Sequence, residues 1–267
     1  MVFRLLTYNI HGCRGTDRQV SPTRIAEVIA STGADVVALQ EVDFNRRRSA
    51  YEDQAEMIAA QLSMDFHFHP AWQLAEERLG DAVLSRLPMR LMRGGALPSQ
   101  SRWKRERRGA LWVCVDNGGH SMHLINTHLG LNRRDRLAQT ETLFSPEWLG
   151  HARCGPPSVL CGDLNARPGS RVHRRVLEQL RDVHAGLLVR QPRRTFPTRY
   201  PVASLDHVFL SAEFEVRHVE VVRTPLTRVA SDHYPLLVEL RLPSLPPPKQ
   251  TAQTPNPASC RPDLDVP

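Results

Sequence analysis

The apolar positions of this chain fall into short blocks set off by glycine, proline and charged residues, and most blocks have strand length rather than helix length. Residues 3–8 read as a strand that delivers Asn9, and residues 35–39 as a buried strand that delivers Gln40 and Glu41. Between them Ser21 and Pro22 open a helix as N-cap and first helical residue. Ile25, Val28 and Ile29 form its stripe, and Gly33 ends it. Helical spacing returns over residues 52–62, 135–149 and 170–180. Further strands are expected at 65–70, 81–85, 87–92, 204–210, 214–222 and 235–240. Residues 110–115 and 121–126 form a hairpin pattern around Asn117-Gly118-Gly119, and its second strand delivers Thr127 and His128. Strands joined by short turns, with few helices, predict mixed and antiparallel sheets with helices outside.

One stretch organises the rest. In residues 159–165 three apolar positions run into Gly162, followed by Asp163 and Asn165. Side chains two apart on an extended segment share a face, so a carboxylate and an amide leave the strand end together. Gly162 allows a tight turn or a close approach of a ligand. Other strands end alike, in Asn9, Glu41, His128, Asp206 and the Asp232-His233 pair. If the sheets pack face to face, these ends meet at one edge.

Composition adds bounds. The chain of 267 residues is 41% hydrophobic and 24% charged, enough for a core of one α/β unit. Its net charge is +7 and its only lysines are Lys104 and Lys249, so the positive groups are guanidinium forks suited to phosphate. The charge alone barely favours nucleic acid, and no separate nucleic-acid-binding module is evident. Five cysteines without a C-x-x-C pair argue for reduced thiols rather than a disulfide framework or zinc site. Neither a signal-peptide pattern nor an apolar run of membrane-spanning length occurs, so the expected location is cytoplasmic. A monomer is the expected oligomeric state. The proline-rich residues 243–267 are expected to be a disordered tail behind one domain of residues 1–242.

The set of strand-end residues suits hard-cation and phosphate chemistry. Magnesium takes oxygen ligands and is held by one or two carboxylates plus substrate phosphate. Glu41 is the first choice of metal ligand, with Asn9 and Asp232 contributing. A histidine paired to a carboxylate has its ring oriented and its pKa raised, which makes His233 with Asp206 the candidate general base. Asp163 would align the nucleophile or serve the leaving group, and Asn165 and His128 would donate to phosphate oxygens.

Seven runs carry a resemblance: Thr7-Tyr8-Asn9-Ile10-His11-Gly12, Leu39-Gln40-Glu41-Val42-Asp43, Gly80-Asp81-Ala82-Val83-Leu84-Ser85-Arg86, Asn126-Thr127-His128-Leu129, Gly162-Asp163-Leu164-Asn165, Leu205-Asp206-His207-Val208-Phe209 and Ser231-Asp232-His233-Tyr234-Pro235-Leu236. In this order the chain resembles the endonuclease/exonuclease/phosphatase superfamily of deoxyribonuclease I-like enzymes. The resemblance implies an α/β fold, a four-layer α/β/β/α sandwich of two mixed sheets flanked by helices. It also implies hydrolysis of phosphate esters with Mg2+ or Mn2+, and the residue roles above. Two positions depart from the family pattern. Asp81 stands where many members have asparagine, which alters a phosphate contact or adds a charge that attracts metal. His11 stands where abasic-site endonucleases carry an acid, which speaks against a second metal and that substrate.

Other polar residues have blander readings. Asp43, Asp65 and Asp116 are read as solvated turn residues, His207 as a packing neighbour, and His67 and His69 as strand-surface groups. His11 is open between loop structure and substrate contact. The basic stretch 99–108 holds Trp103, suited to stacking on a base or entering a lipid interface, and Arg108 is its arginine placed nearest phosphate. The favoured function is a phosphodiesterase acting by in-line attack of activated water. The alternatives are a DNA or RNA nuclease, a phosphomonoesterase on small or lipid head-group substrates, and, last, a non-catalytic anion-binding module.

Overall fold

A computed structural model describes residues 2–99, 107–185 and 193–242; the tail at 243–267 and Trp103 lie outside them. Two six-stranded mixed sheets form the centre, with helices on both outer faces. The first contains β1 (Val2–Asn9), β2 (Val36–Phe44), β3 (Asp65–Leu74), β4 (Glu77–Ser85), β11 (Glu215–Val221) and β12 (Leu236–Arg241), in the order β11-β12-β1-β2-β4-β3. The second contains β5 (Met89–Ala96), β6 (Gly109–Asn117), β7 (His120–His128), β8 (Ser158–Asp163), β9 (Arg181–Asp182) and β10 (Asp206–Leu210), in the order β5-β6-β7-β8-β10-β9. Each sheet has one parallel pair at its middle, β1 with β2 and β7 with β8. The four-layer α/β/β/α sandwich is the architecture observed.

Three apolar clusters match three interfaces between layers. Phe3, Leu5, Val36 and Ala38 meet Leu111, Val113, Leu124, Val159 and Val208 between the sheets. Leu6, Tyr8, Val37 and Leu39 pack outward on Ile25, Val28, Ile29 and Ile58 of helices α1 (Pro22–Thr32) and α2 (Gln54–Leu62). On the other side Ile125, Leu160 and Phe209 pack against Leu143 of α3 (Arg133–Leu143) and Val172 and Val176 of α4 (Arg171–Leu177). Central strands are thus covered on both faces, and their sequences read as continuous apolar runs rather than alternations.

Helix α1 has the cap read from the sequence, with Ser21 accepting the Arg24 N–H and Gly33 left-handed at φ 62°. Several boundaries differ. Helix α3 stops at Leu143, and Trp148 beyond it is buried in a loop. No helix is expected from the sequence at α5 (Pro225–Ala230), although Thr224 ahead of the proline and Thr227 within the first turn cap it reciprocally. Strand β2 continues past Leu39, and its register with β4 shifts between Leu39 and Val42. Asp43 is not a solvated turn residue: it is fully buried, accepting from Arg48 Nε at 2.6 Å and Arg46 Nη1 at 3.0 Å. Two guanidinium groups offset the cost of burying one carboxylate there.

Inside the sandwich, polar side chains link the sheets. The Asn126 amide on β7 donates to the Leu39 and Ala82 carbonyls of the first sheet at 2.8 and 2.9 Å. Its Oδ1 accepts from Gln40 Nε2 at 2.7 Å. Gly162 is needed for the second sheet's close packing, since a Cβ there would lie 1.9 Å from the Thr127 carbonyl oxygen. The close approach is therefore made by backbone and not by a ligand.

Replacing Asn126 by alanine takes its amide from the buried Leu39 and Ala82 carbonyls, while the Gln40 amide keeps Thr7 Oγ1 and the Ala38 carbonyl as acceptors. Each lost partner leaves a desolvated group costing about 1 kcal/mol or more, so a destabilisation of about 2 kcal/mol is expected in urea unfolding. A change under about 0.5 kcal/mol would show that the sheets are held without this link.

Candidate active site

Strand register assembles the site. In the second sheet His128 pairs with Asp163 across the parallel β7–β8 ladder, and Asp163 pairs with Asp206 across the antiparallel β8–β10 ladder. The three side chains form a row along one edge. The first sheet brings Asn9 at the end of β1, and Glu41 through the irregularity in β2, where Glu41 has φ 57°. A bulge re-aims a side chain that strict alternation would turn elsewhere.

Asn9 joins the two halves. Its Nδ2 donates to Glu41 Oε1 at 3.1 Å and to Asp163 Oδ2 at 3.0 Å, while its Oδ1 accepts the His11 N–H at 3.0 Å. Asp163 Oδ1 accepts the Asn165 N–H at 2.9 Å. Asn165 Nδ2 donates to the Leu129 carbonyl at 2.9 Å, which orients the amide so that its second N–H meets His128 Nε2 at 3.0 Å. The neutral His128 ring then carries its proton on Nδ1, the nitrogen 3.9 Å from Glu41 Oε1 and 3.5 Å from Arg108 Nη1. On the far side His233 Nδ1 donates to Asp206 Oδ2 at 2.9 Å, and its Nε2 lies 3.7 Å from Asp163 Oδ2.

The remaining candidates border this group. Asp232, with its side chain 36% exposed, sits 3.7 Å from His11 Nδ1. Asp81 is buried and lines a small pocket with Glu41, Gly80, Arg107, Arg108 and His128. All eleven candidate residues therefore belong to one edge of the sandwich. His207 instead points away from it, donating to the Ala166 carbonyl at 2.7 Å beside His173 and Asp182. That second His/Asp group has metal-ligand spacing, yet His173 is already paired to Asp182 at 3.0 Å and Arg193 stands 3.7 Å from the same oxygen. It fastens α4 to β9.

Two contributors were not singled out from the sequence. Ser231 Oγ donates to the Asn9 carbonyl at 2.8 Å, tying the last loop to β1. The Phe196 ring lies 4.7 Å from the His233 ring. Ser231 heads the Ser231-to-Leu236 run, so sequence could have pointed to it; Phe196 lies in an irregular segment with no periodic signal.

Electrostatics separates the two histidines. Burial, the Arg108 guanidinium and His233 hold His128 well below the ordinary imidazole range, hence neutral. Burial also works against a charged His233, but Asp206, by charge and hydrogen bond, together with Asp163 and Asp232, raises it to about 10. The Asp163 carboxyl is pushed up by burial and by Asp206, against the pull of His233, Asn165 and Asn9. Burial raises Asp81 as well. Five carboxyl groups thus face one edge against three cations among the described residues, His233, Arg107 and Arg108. Asp206 Oδ1 is buried without a partner among the described residues. The donor set is oxygen-rich, contains no thiolate and carries surplus negative charge, which fits a hard divalent cation.

Residues 6–233 match the model of the Endonuclease/Exonuclease/phosphatase family, and the chain belongs to that family. Its members are hydrolases of phosphate esters, and this is the class of chemistry to which the chain belongs. It is 28% identical to the Escherichia coli (strain K12) protein YbhP, itself described as uncharacterized, over 90% of this chain and 96% of that one. Among solved structures it is similar to an endonuclease/exonuclease/phosphatase from Beutenbergia cavernae, with TM-score 0.72, 26% identity, and 90% of this chain and 72% of that chain covered. The human Nocturnin catalytic domain, solved with a bound sulfate anion, shares the fold at TM-score 0.69 and 20% identity, with 91% and 95% covered.

The raised His233 value has a signed consequence. Its ion pair contributes stability fully below the ordinary value of 6.5, and that contribution is lost as pH rises through about 10. In metal-free Asp206→Asn the His233 ring should titrate several units lower by imidazole NMR. An unchanged titration would show that Asp206 does not hold the charge.

Proposed function

We propose that the protein is a divalent-metal-dependent phosphodiesterase that hydrolyses its substrate by in-line attack of water. The carrying observation is the convergence of Asn9, Glu41, Asp163, Asp206, Asp232 and His233, from both sheets, on one edge beside the neutral His128 and Arg108. Glu41 and Asp232 would hold Mg2+ or Mn2+, with Asn9, whose amide is engaged by Glu41, Asp163 and His11, contributing through water. When bound, the cation supplies Lewis-acid polarisation of a phosphoryl oxygen and offsets charge in the transition state.

The chain's own groups divide the remaining work. His128 Nδ1–H and Arg108 donate to the phosphate oxygens, Asn165 holds the His128 ring for this through Nε2, and Asp81 and His11 flank the seat. His233, in its deprotonated form, takes a proton from the attacking water at Nε2, while Asp206 holds the ring through Nδ1–H. Asp163 faces that same Nε2 and accepts from Asn9 and Asn165, which fixes it to align the water or serve the leaving oxygen. The surplus of carboxylates repels a dianionic monoester more than a monoanionic diester, and this supports the diester reading over a phosphomonoesterase.

A panel of plasmid, oligoribonucleotide, phospholipid, inositol phosphate and chromogenic diester should reveal turnover with Mg2+ or Mn2+ that a chelator abolishes. Glu41→Gln and His233→Ala should each lower that turnover by about a hundredfold or more while circular dichroism stays unchanged. Wild-type rates in both variants would remove these assignments, and preference for a monoester would overturn the diester reading.

A further inference from the structure

Next to the site lies a cavity of about 240 Å³ lined by His11, Gly12, Arg14, Arg18, Val20 and Arg48. Three guanidinium groups line it and, among the described residues, no carboxylate does. His11 is the wall shared with the site: its N–H caps Asn9 and its ring faces Asp232.

The arginines are carried on a braced framework. Arg48 is gripped by buried Asp43 through Nε at 2.6 Å and Nη2 at 2.8 Å. Arg14 and Val20 bridge across a loop closed by Gly15 N–H to the Gln19 carbonyl at 2.9 Å and docked on α5 by Thr16 N–H to the Val229 carbonyl at 2.9 Å. Within that loop the Asp17 carboxylate is already taken by Arg24, at 2.7 and 3.1 Å, so it does not neutralise Arg14 or Arg18. Gly12, at φ 62°, lets the first loop close on the second, because a Cβ there would come within 3.0 Å of Asp43 Oδ2 and 3.1 Å of Arg48 Nη2. Both loops therefore meet at a positive cavity beside an acid-rich centre. An anion is drawn to this cavity and kept off the carboxylates, and a guanidinium fork matches phosphate oxygens two at a time.

We infer that this cavity binds a second phosphate of the substrate. Preferred substrates then carry two phosphate groups a short distance apart, one reacting beside Glu41 and His233 and the other held by Arg14 and Arg18, with Arg48, its fork engaged by Asp43, walling the seat. The inference rests on the hydrolase reading above and adds a substrate class to it. Neighbouring phosphates, the reacting one a diester, occur in nucleic-acid strands and in phosphorylated inositol lipids; the shared chemistry is the pair of anions, which soluble bisphosphates mimic without the scissile diester bond.

Equilibrium binding in Mg2+ buffer tests this independently of turnover. Thymidine 3′,5′-bisphosphate is compared with thymidine 5′-monophosphate, and inositol 1,4-bisphosphate with inositol 1-phosphate. Wild-type protein should bind at least one bisphosphate about tenfold more tightly than its monophosphate, and the pair that shows it identifies the source. Arg14→Ala with Arg18→Ala should erase that preference and leave monophosphate affinity unchanged; Arg18→Ala alone, at an exposed position, should reduce it if the double variant does not fold. Equal binding within both pairs in the wild type, or a preference that survives the substitutions, overturns the inference. A tenfold preference with no hydrolysis of any diester would instead overturn the hydrolase reading and leave the anion site standing.

Discussion

The side-chain amide of Asn9 is the point on which the site depends. It has two N–H donors and one oxygen, and all are used: one donor serves Glu41 on its own sheet, the other serves Asp163 on the opposite sheet, and the oxygen takes the His11 N–H. Its backbone carbonyl accepts from Ser231, so the loop carrying Asp232 and His233 is fixed from the same residue. Besides the Asn126 tie deeper in the sandwich, two sheets that pack mainly through non-directional apolar contacts gain here a directional link where orientation matters. A neutral amide does this without adding a further charge to a crowded group of anions.

That crowding shapes the rest of the edge. Asp163 and Asp206 are adjacent in register and both nearly inaccessible to water. Two buried like charges at that spacing repel, and the structure relieves them by amide donors and by the His233 imidazolium. The surplus negative charge that remains is what suits the edge to a hard cation. Charge arranged for catalysis lowers stability locally, and the Gln40–Asn126 link deeper in the sandwich offsets some of that cost.

Much of this was legible in the chain because strand ends announce themselves. An apolar run followed by a polar residue is visible in one dimension, and the runs ending at Asn9, His128 and Asp163 end in the structure where the pattern ends them. Glu41 was legible as a residue and not as a geometry. It lies within β2, turned by an irregularity whose positive φ leaves no trace in hydrophobic periodicity. Asp43 was misread for a related reason. Its partners Arg46 and Arg48 lie in the polar stretch after the strand, and only folding brings them back over the strand end to neutralise a buried carboxylate.

The sequence alone determined the strand-rich α/β class, the seven runs and the chemical character of the site, since these depend on local patterning and on which side chains are present. The tertiary structure decided which carboxylates are buried, which histidine is held charged and which neutral, and that loops after β1 and β2 enclose a cavity of arginines. Burial, pKa and cavity shape depend on distances between residues remote in sequence. Those distances are set by sheet register and by the packing of one sheet on the other, and no linear pattern encodes them.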